Sequence, residues 1–283
     1  MKYRYNISME KYVLKTRSDG SQITVRDLQL VLLEMMKDID AICQKNQITY
    51  LLSAGSALGA IRHKGFIPWD DDMDIAMSVD DYDRFVEVLK KELPSDKYLF
   101  HCFQTNDKYN VLIPAMKIRK RNTYVKEVNT LLENRCKEEG KDSDGVFIDV
   151  FIYDSCSKNK VIDLPFRLFN ILLMPIIVLV DNIGINPKFL KRCFVNNARL
   201  YGRLNEKSNY TGFDLTWTFR SPLRPYMFKK NDIYPVRYVE FEDTKLPVAN
   251  NTHAYLCAIF NDSYMQFPDV KHRFAKHTVD IEI

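Results

Sequence analysis

The stretch Ile67-Pro68-Trp69-Asp70-Asp71-Asp72-Met73-Asp74-Ile75-Ala76-Met77 puts four carboxylates into one turn of chain, between an aromatic residue and an apolar run. If 73–77 is a strand, side chains alternate between its faces, so Asp72 and Asp74 project from the same side about 7 Å apart. Carboxylate oxygens converging to roughly 4 Å repel by about 4 kcal/mol at an effective dielectric near 20, unless a metal or a proton intervenes. Hard oxygen ligands of this kind suit Mg²⁺ or Mn²⁺. A solvated acidic turn is the alternative for a bare aspartate run. The flanking segments decide between the two.

Upstream, Thr24 and Asp27 have the spacing of a capping box for a helix whose Val25, Leu28, Leu32, Met35, Ile39 and Ile42 recur every three or four residues. Residues 48–53 read as a short strand. Ala54-Gly55-Ser56-Ala57-Leu58-Gly59-Ala60 then turns into a helix of small residues, which Lys64-Gly65 breaks. Downstream, Ser78 and Asp80 can cap a helix that shows Tyr82, Phe85, Val86 and Leu89 on one face and ends before Pro94. Strands are expected at 98–103 and 112–118, and a central one at 146–152, apolar on both faces except for Asp149. The charged run 128–144, with Glu138-Glu139-Gly140-Lys141, reads as a loop. Asn186-Pro187 starts another helix, 214–235 is expected to be irregular, 236–246 reads as a hairpin strand and 252–260 as a short helix.

With 283 residues, 46% of them apolar, the chain can bury a full core as one large domain or two small ones. A net charge of +4 is too mild to argue for nucleic acid as a partner. Cys43, Cys102, Cys136, Cys156, Cys193 and Cys257 include no C-x-x-C pair and read as reduced thiols. Residues 1–20 lack the pattern of a signal peptide, so cytoplasmic residence is expected. The most apolar segment, 168–180, is shorter than a bilayer span and interrupted by Pro175. It reads either as part of a buried helix pair or as a segment in the membrane interface, the latter favoured by Arg167, Lys188, Lys191 and Arg192 around it.

Gly55 and Ser56 sit at a strand-to-helix turn, where backbone N–H groups and the helix dipole favour a phosphate; close packing is the plainer explanation. Asp149, among apolar neighbours, needs a partner, either a structural Arg or a metal shared with Asp72 and Asp74. Lys117 and Arg119 point the same way and can neutralise phosphate charge or pair with the aspartates. Arg62, His63 and Lys64 can reach a phosphate or form a solvated helix end. Phe66 and Trp69 read as core. Tyr210, Trp217 and Phe219 can stack on a base or on a cationic head group.

The run 52–77, continuing to Asp81-Tyr82 and Phe85, resembles the LicD family. So do Lys117-Ile-Arg119 with Asn122-Thr123, Phe147-Ile-Asp149-Val-Phe151 with Asp154, and a tail from Leu246-Pro-Val through Tyr255-Leu256 to Tyr264-Met265 and Pro268. Fukutin-related phosphotransferases share this signature. The likeness is strong over 24–154, weaker over 236–277 and absent over 155–235. It implies an α+β fold: a nucleotidyltransferase-like mixed β-sheet core flanked by helices (24–154), with an N-terminal extension (1–23), a helical and irregular insertion (155–235) and a C-terminal segment (236–283). It further implies transfer of a phospho-substituent, most familiarly phosphocholine, from a CDP-linked donor to a hydroxyl of a cell-surface glycan or its lipid-linked precursor, with release of CMP.

By the same resemblance Asp72, Asp74 and Asp149 hold Mg²⁺ or Mn²⁺, Gly55 and Ser56 touch the donor phosphates, Lys117 or Arg119 offsets developing charge, and Asp70 or Asp71 tunes the site. Asp149 or Asp70 takes the acceptor proton. The family's tail glycine is Asn261 here. A nucleotidyltransferase releasing pyrophosphate and a non-catalytic glycan-assembly protein that touches the membrane through 168–180 are the rival readings.

Overall fold

The computed structural model describes residues 12–128, 144–217 and 223–283. The first eleven residues of the expected N-terminal extension, most of the 128–144 loop, Cys136, Phe219, Arg220 and Pro222 lie outside these ranges. A hairpin of β1 (Val13–Thr16) and β2 (Gln22–Thr24) leads into α1 (Val25–Lys45). There follow β3 (Tyr50–Leu52), α2 (Ala54–Arg62), β4 (Asp74–Ser78), α3 (Val79–Glu92), β5 (Tyr98–Cys102), β6 (Met116–Lys120), β7 (Tyr124–Glu127) and β8 (Phe147–Ser155). A helical pair, α4 (Lys160–Asn182) and α5 (Lys188–Leu204), precedes β9 (Tyr210–Phe213), β10 (Phe228–Lys229) and the short α6 (Lys230–Ile233). The chain closes with the hairpin β11 (Arg237–Phe241) and β12 (Thr244–Val248), then α7 (Thr252–Phe260) and β13 (Thr278–Glu282).

The core is a mixed seven-stranded sheet, making the fold α+β and consistent with a nucleotidyltransferase-like core. β3 pairs antiparallel with β4, and β4 pairs parallel with β8, with Asp74 opposite Asp149. The other edge of β8 is shared. Its first half takes β6 antiparallel, with Lys117 opposite Asp149, and its end takes β9, which continues to β10. β5 lies beyond β6. This long strand is buried on both faces over Ile148, Val150, Phe151 and Ile152, as its sequence predicts for a central position.

α1 begins at the expected reciprocal cap: Asp27 N–H donates to Thr24 Oγ1 (3.2 Å) and Thr24 N–H to Asp27 Oδ2 (2.7 Å). Its Val25, Leu28, Leu32, Met35 and Ile39 are buried against the sheet.

Three expectations change. The strand expected at 112–118 is Met116–Lys120, because Asn110 Oδ1 accepts the Leu112 N–H (3.0 Å) and Pro114, which has no N–H for a ladder, gives its carbonyl to Tyr109 OH (2.6 Å). The 155–235 segment is helical in its first part but returns β9 and β10 to the central sheet. Pro175 does not interrupt the apolar segment: α4 runs unbroken for 23 residues through Pro165 and Pro175.

At the end of α7, Asn261 holds φ 69° and ψ −179°. A side chain makes this region costly by about 1–3 kcal/mol, which explains why a glycine suits the position. Asn261 recovers part of the cost by accepting the Ser263 N–H at 2.9 Å. Asn261→Gly is expected to raise stability by about 1 kcal/mol, the relieved strain exceeding glycine's extra unfolded-state entropy; chemical denaturation of the two proteins measures it.

Candidate functional site

Asp70–Asp74 lies between α2 and β4 and is held from three sides. From α1, the buried Gln29 Nε2 donates to the carbonyls of Ile67 (3.0 Å) and Asp70 (2.9 Å). From α2, Ser56 Oγ accepts the Asp74 N–H (2.9 Å), and Gly55 leaves room for the Asp70 carboxylate, whose Oδ2 would lie 2.9 Å from any Cβ there. From the C-terminal segment, the N–H groups of Lys276, His277 and Thr278 all donate to the buried Asp71 carboxylate, at 2.7–3.0 Å. That clamp places His277 Nε2 3.2 Å from Asp72 Oδ2. Pairing of β13 with β7 secures the same segment.

Asp72, Asp74, Asp149 and Lys117 converge on one cleft of about 340 Å³, which Glu127, His277, Phe147, Phe151, Trp217, Leu112, Ile113 and Pro114 complete. Lys117 is 2% exposed, so its charge is committed to this place. Its Nζ lies 2.9 Å from Asp149 Oδ1 and 3.1 Å from Glu127 Oε2, over the Phe147 ring at 3.4 Å. Arg119, equally buried, donates to the Gly145 carbonyl (2.8 Å) and pairs with Glu127 (3.3 Å).

Electrostatic crowding marks the cluster. Burial pushes Asp74 well above the usual carboxylate range, and Asp72, Asp149 and Asp70 push it further. Asp70 is raised in the same way by burial and by Asp72 and Asp71. Asp72 is raised by burial, against the pull of His277. Burial takes Asp149 to about 6 despite Lys117. Burial also acts against Glu127, yet Lys117 and Arg119 together hold it below its ordinary value.

The donor set suits a hard divalent cation, three carboxylates facing one cleft, and no described group forms an ion pair with the Asp74 carboxylate. Among the described residues, no group of three or more His, Cys, Asp or Glu side chains is already drawn together tightly enough to hold a metal. Lys117 Nζ lies against Asp149 and His277 Nε2 against Asp72.

Residues 47–129 match the family model described as the LicD/FKTN/FKRP nucleotidyltransferase domain. Over these residues the chain resembles the LicD family. It is 34% identical over 148 residues to the lipopolysaccharide cholinephosphotransferase LicD of Haemophilus influenzae, covering 51% of this chain and 49% of that protein. It is also similar to uncharacterized proteins of Rickettsia typhi (39% over 109 residues, 38% of this chain and 34% of that one) and Rickettsia prowazekii (33% over 110 residues, 38% and 37%). The matches thus span half or less of these relatives. The LicD-family match holds Gly55, Ser56, the aspartate turn, Lys117 and Glu127; Asp149 joins them through the β4–β8 register.

Other predicted positions have other surroundings. Arg62 donates to the carbonyls of Tyr264 (2.9 Å) and Gln266 (3.0 Å), and Lys64 pairs with Glu240 (2.6 Å), so both are tied to the C-terminal segment rather than lining the cleft. His63 packs between Trp69 and Phe267 and accepts from Arg62 Nε. Phe66 and Trp69 are core, as expected. Of the aromatic trio, Trp217 reaches the cleft, Tyr210 stacks under Lys158 (4.2 Å) and Phe219 is outside the described residues. Glu127 and His277 had no local sequence signal. Gln29 had one, a polar residue in the buried row of α1.

Gln29→Leu would strip the Ile67 and Asp70 carbonyls of a buried donor. A loss of about 1–3 kcal/mol is expected, read by urea denaturation. His63 supplies a pH test. Burial and the Arg62 guanidinium lower it from 6.5 to about 4. The unfolded chain then binds the extra proton between those values, so this contribution is intact above pH 6.5 and lost as pH falls toward 4. His63→Phe should flatten that fall by about 2 kcal/mol, allowing for partial solvent screening. The raised aspartates act in the opposite direction in both proteins, so the difference between the two stability curves isolates the imidazole.

Proposed function

We propose that the protein transfers phosphocholine from a CDP-linked donor to a hydroxyl of a cell-surface glycan or its lipid-linked precursor. The observation that carries this reading is the meeting of Asp72, Asp74, Asp149 and Lys117 in one cleft of a LicD-family domain. The cholinephosphotransferase name of the Haemophilus relative supports the choice of head group and of a lipopolysaccharide-like acceptor. A cytoplasmic location, where CDP-activated donors are made, belongs to the same reading.

In this reaction the acceptor oxygen bonds to the phosphorus that bears choline, the bond from that phosphorus to the bridging oxygen breaks, and CMP leaves. Asp72, Asp74 and Asp149 would hold Mg²⁺ or Mn²⁺, whose chemistry is to stabilise negative charge on the phosphoryl oxygens. Lys117 Nζ, fixed by Asp149 and Glu127, offers a second positive charge beside them. An Asp149 carboxylate oxygen left free by the cation would take the acceptor proton from within the cleft. Asp70 turns toward Gly55 instead. Trp217 and Phe151, 4.8 Å apart edge to face, form an apolar wall of the kind that attracts a quaternary ammonium group.

Calorimetry with CDP-choline, CDP-ethanolamine, CDP-ribitol, CDP-glycerol and CTP, with and without Mg²⁺, tests the donor. Metal-dependent binding of CDP-choline, absent in Asp74→Asn, is expected. That variant should keep its fold and lose transfer by at least about 10³-fold, as when several kcal/mol of transition-state charge stabilisation is removed. Preference for CTP, with pyrophosphate rather than CMP as product, would replace this reading by nucleotidyl transfer.

A further inference from the structure

α4 is built inside out. The side facing the protein is polar over its first half, where Asp163, Arg167 and Asn170 are buried, and aliphatic over its second, where Ile177 packs with Leu173, Met174 and Val178. Asp163 accepts from Arg167 Nε (2.8 Å) and from Tyr201 OH, and Asn170 Nδ2 donates to the Leu215 carbonyl (2.8 Å). Near the end of α4, Asp181 pairs with Lys191 of α5, which is 1% exposed. The opposite row carries Val161, Leu168, Phe169, Leu172, Ile176 and Leu179, continued past the helix end by Ile183, Ile185 and Phe189, and all are exposed. Leu172 is 68% exposed and Phe189 75%. A helix that turns its polar row inward and its aliphatic row outward is not arranged for water on its outer side.

The charges at the ends identify the occupant. No charged side chain is exposed between Val161 and Pro187. The stripe is bracketed by Lys158 and Lys160 at one end and by Lys188 and Arg192 at the other, where Asp107 pairs with Lys188. An apolar stripe with cations at both ends matches the acyl boundary of a bilayer beneath anionic head groups. We infer that α4 lies in the plane of an anionic membrane surface, its Leu172–Leu179 row in the acyl boundary and its flanking lysines among the phosphates. Although the helix is long and apolar enough to cross a membrane, its inward polar row is bonded along its length to α5 and the 215 region, which holds it flat on the protein.

The opposite, buried side of α4 backs onto the cleft wall. Ile177 of α4 and Phe194 of α5 pack on Val111 and Leu112, and Leu112 also lines the cleft with Ile113 and Pro114. Attachment through α4 therefore leaves one helix between the bilayer and the cleft wall, whatever the reaction carried out there.

Vesicle flotation of the full chain tests this, with phosphatidylcholine alone and with 30% phosphatidylglycerol added. The protein should float with the anionic vesicles, at least about tenfold more weakly with the neutral ones, and less at high salt. Leu172→Glu/Leu179→Glu should lose at least about tenfold in binding with an unchanged circular dichroism spectrum. If that pair fails to fold, Lys158→Gln/Lys188→Gln should lose the preference for anionic vesicles. Failure of the native chain to bind either vesicle overturns the inference, and so does undiminished binding by a folded variant. A micromolar dimer that the leucine variant dissociates, without vesicle binding, would assign the face to a second copy. Resistance to alkaline extraction would make α4 a spanning helix and overturn the in-plane placement.

Discussion

Negative charge under burial is the constraint around which the cleft end of this protein is organised. Asp70, Asp71, Asp72, Asp74 and Asp149 all lie near one another, and each is answered differently. Asp71 is satisfied by three backbone N–H groups, Asp72 faces an imidazole, and Asp149 is paired with a buried ammonium. Asp70 sits in the space left by a glycine, its charge repelled by Asp72 and Asp71. Asp74 is crowded by Asp72, Asp149 and Asp70 and has no ion pair among the described residues. The register of β8 between β4 and β6 brings this about, because a one-residue slip in either ladder would turn Asp149 away from Asp74 and Lys117.

Much of this was legible in the chain. The Thr24–Asp27 cap, the small-residue turn at Gly55, the period-2 placement of Asp72 and Asp74, and the solitary acid in an apolar strand at Asp149 are local patterns with local causes, and the structure brings those aspartates together with Lys117. What escaped was set by tertiary contact. Glu127 stands in no local pattern, and the β7–β13 pairing secures the strand that carries it to Lys117. His277 lies more than two hundred residues from the acidic turn that fixes its backbone. Arg62 and Lys64, basic residues beside a candidate phosphate loop, are taken up by Tyr264, Gln266 and Glu240, partners that no short window contains.

The sequence of the apolar segment leaves its orientation open for another reason. Hydropathy over 168–180 measures how apolar the stretch is but not which way it faces, and Pro175, a helix breaker by sequence, sits on the outer side of a helix that tolerates it. The deciding signal was the row Asp163, Arg167, Asn170, spaced by four and three, which requires a partnered polar seam on one side and leaves the aliphatic residues for the other.

The clamp on Asp71 has a consequence for the order in which the molecule comes together. Asp71 meets the backbone of residues 276–278 across a separation of 205–207 positions, and Asp74 meets Asp149 only after the β4–β8 crossover has closed. Contacts so distant in sequence form late, since chain entropy must be surrendered before they give anything back. Until they form, the aspartate run carries uncompensated like charges and favours hydration over packing. The acidic turn should therefore remain open to solvent through early collapse and act as a local brake on compaction, with the cleft among the last features to acquire its final shape.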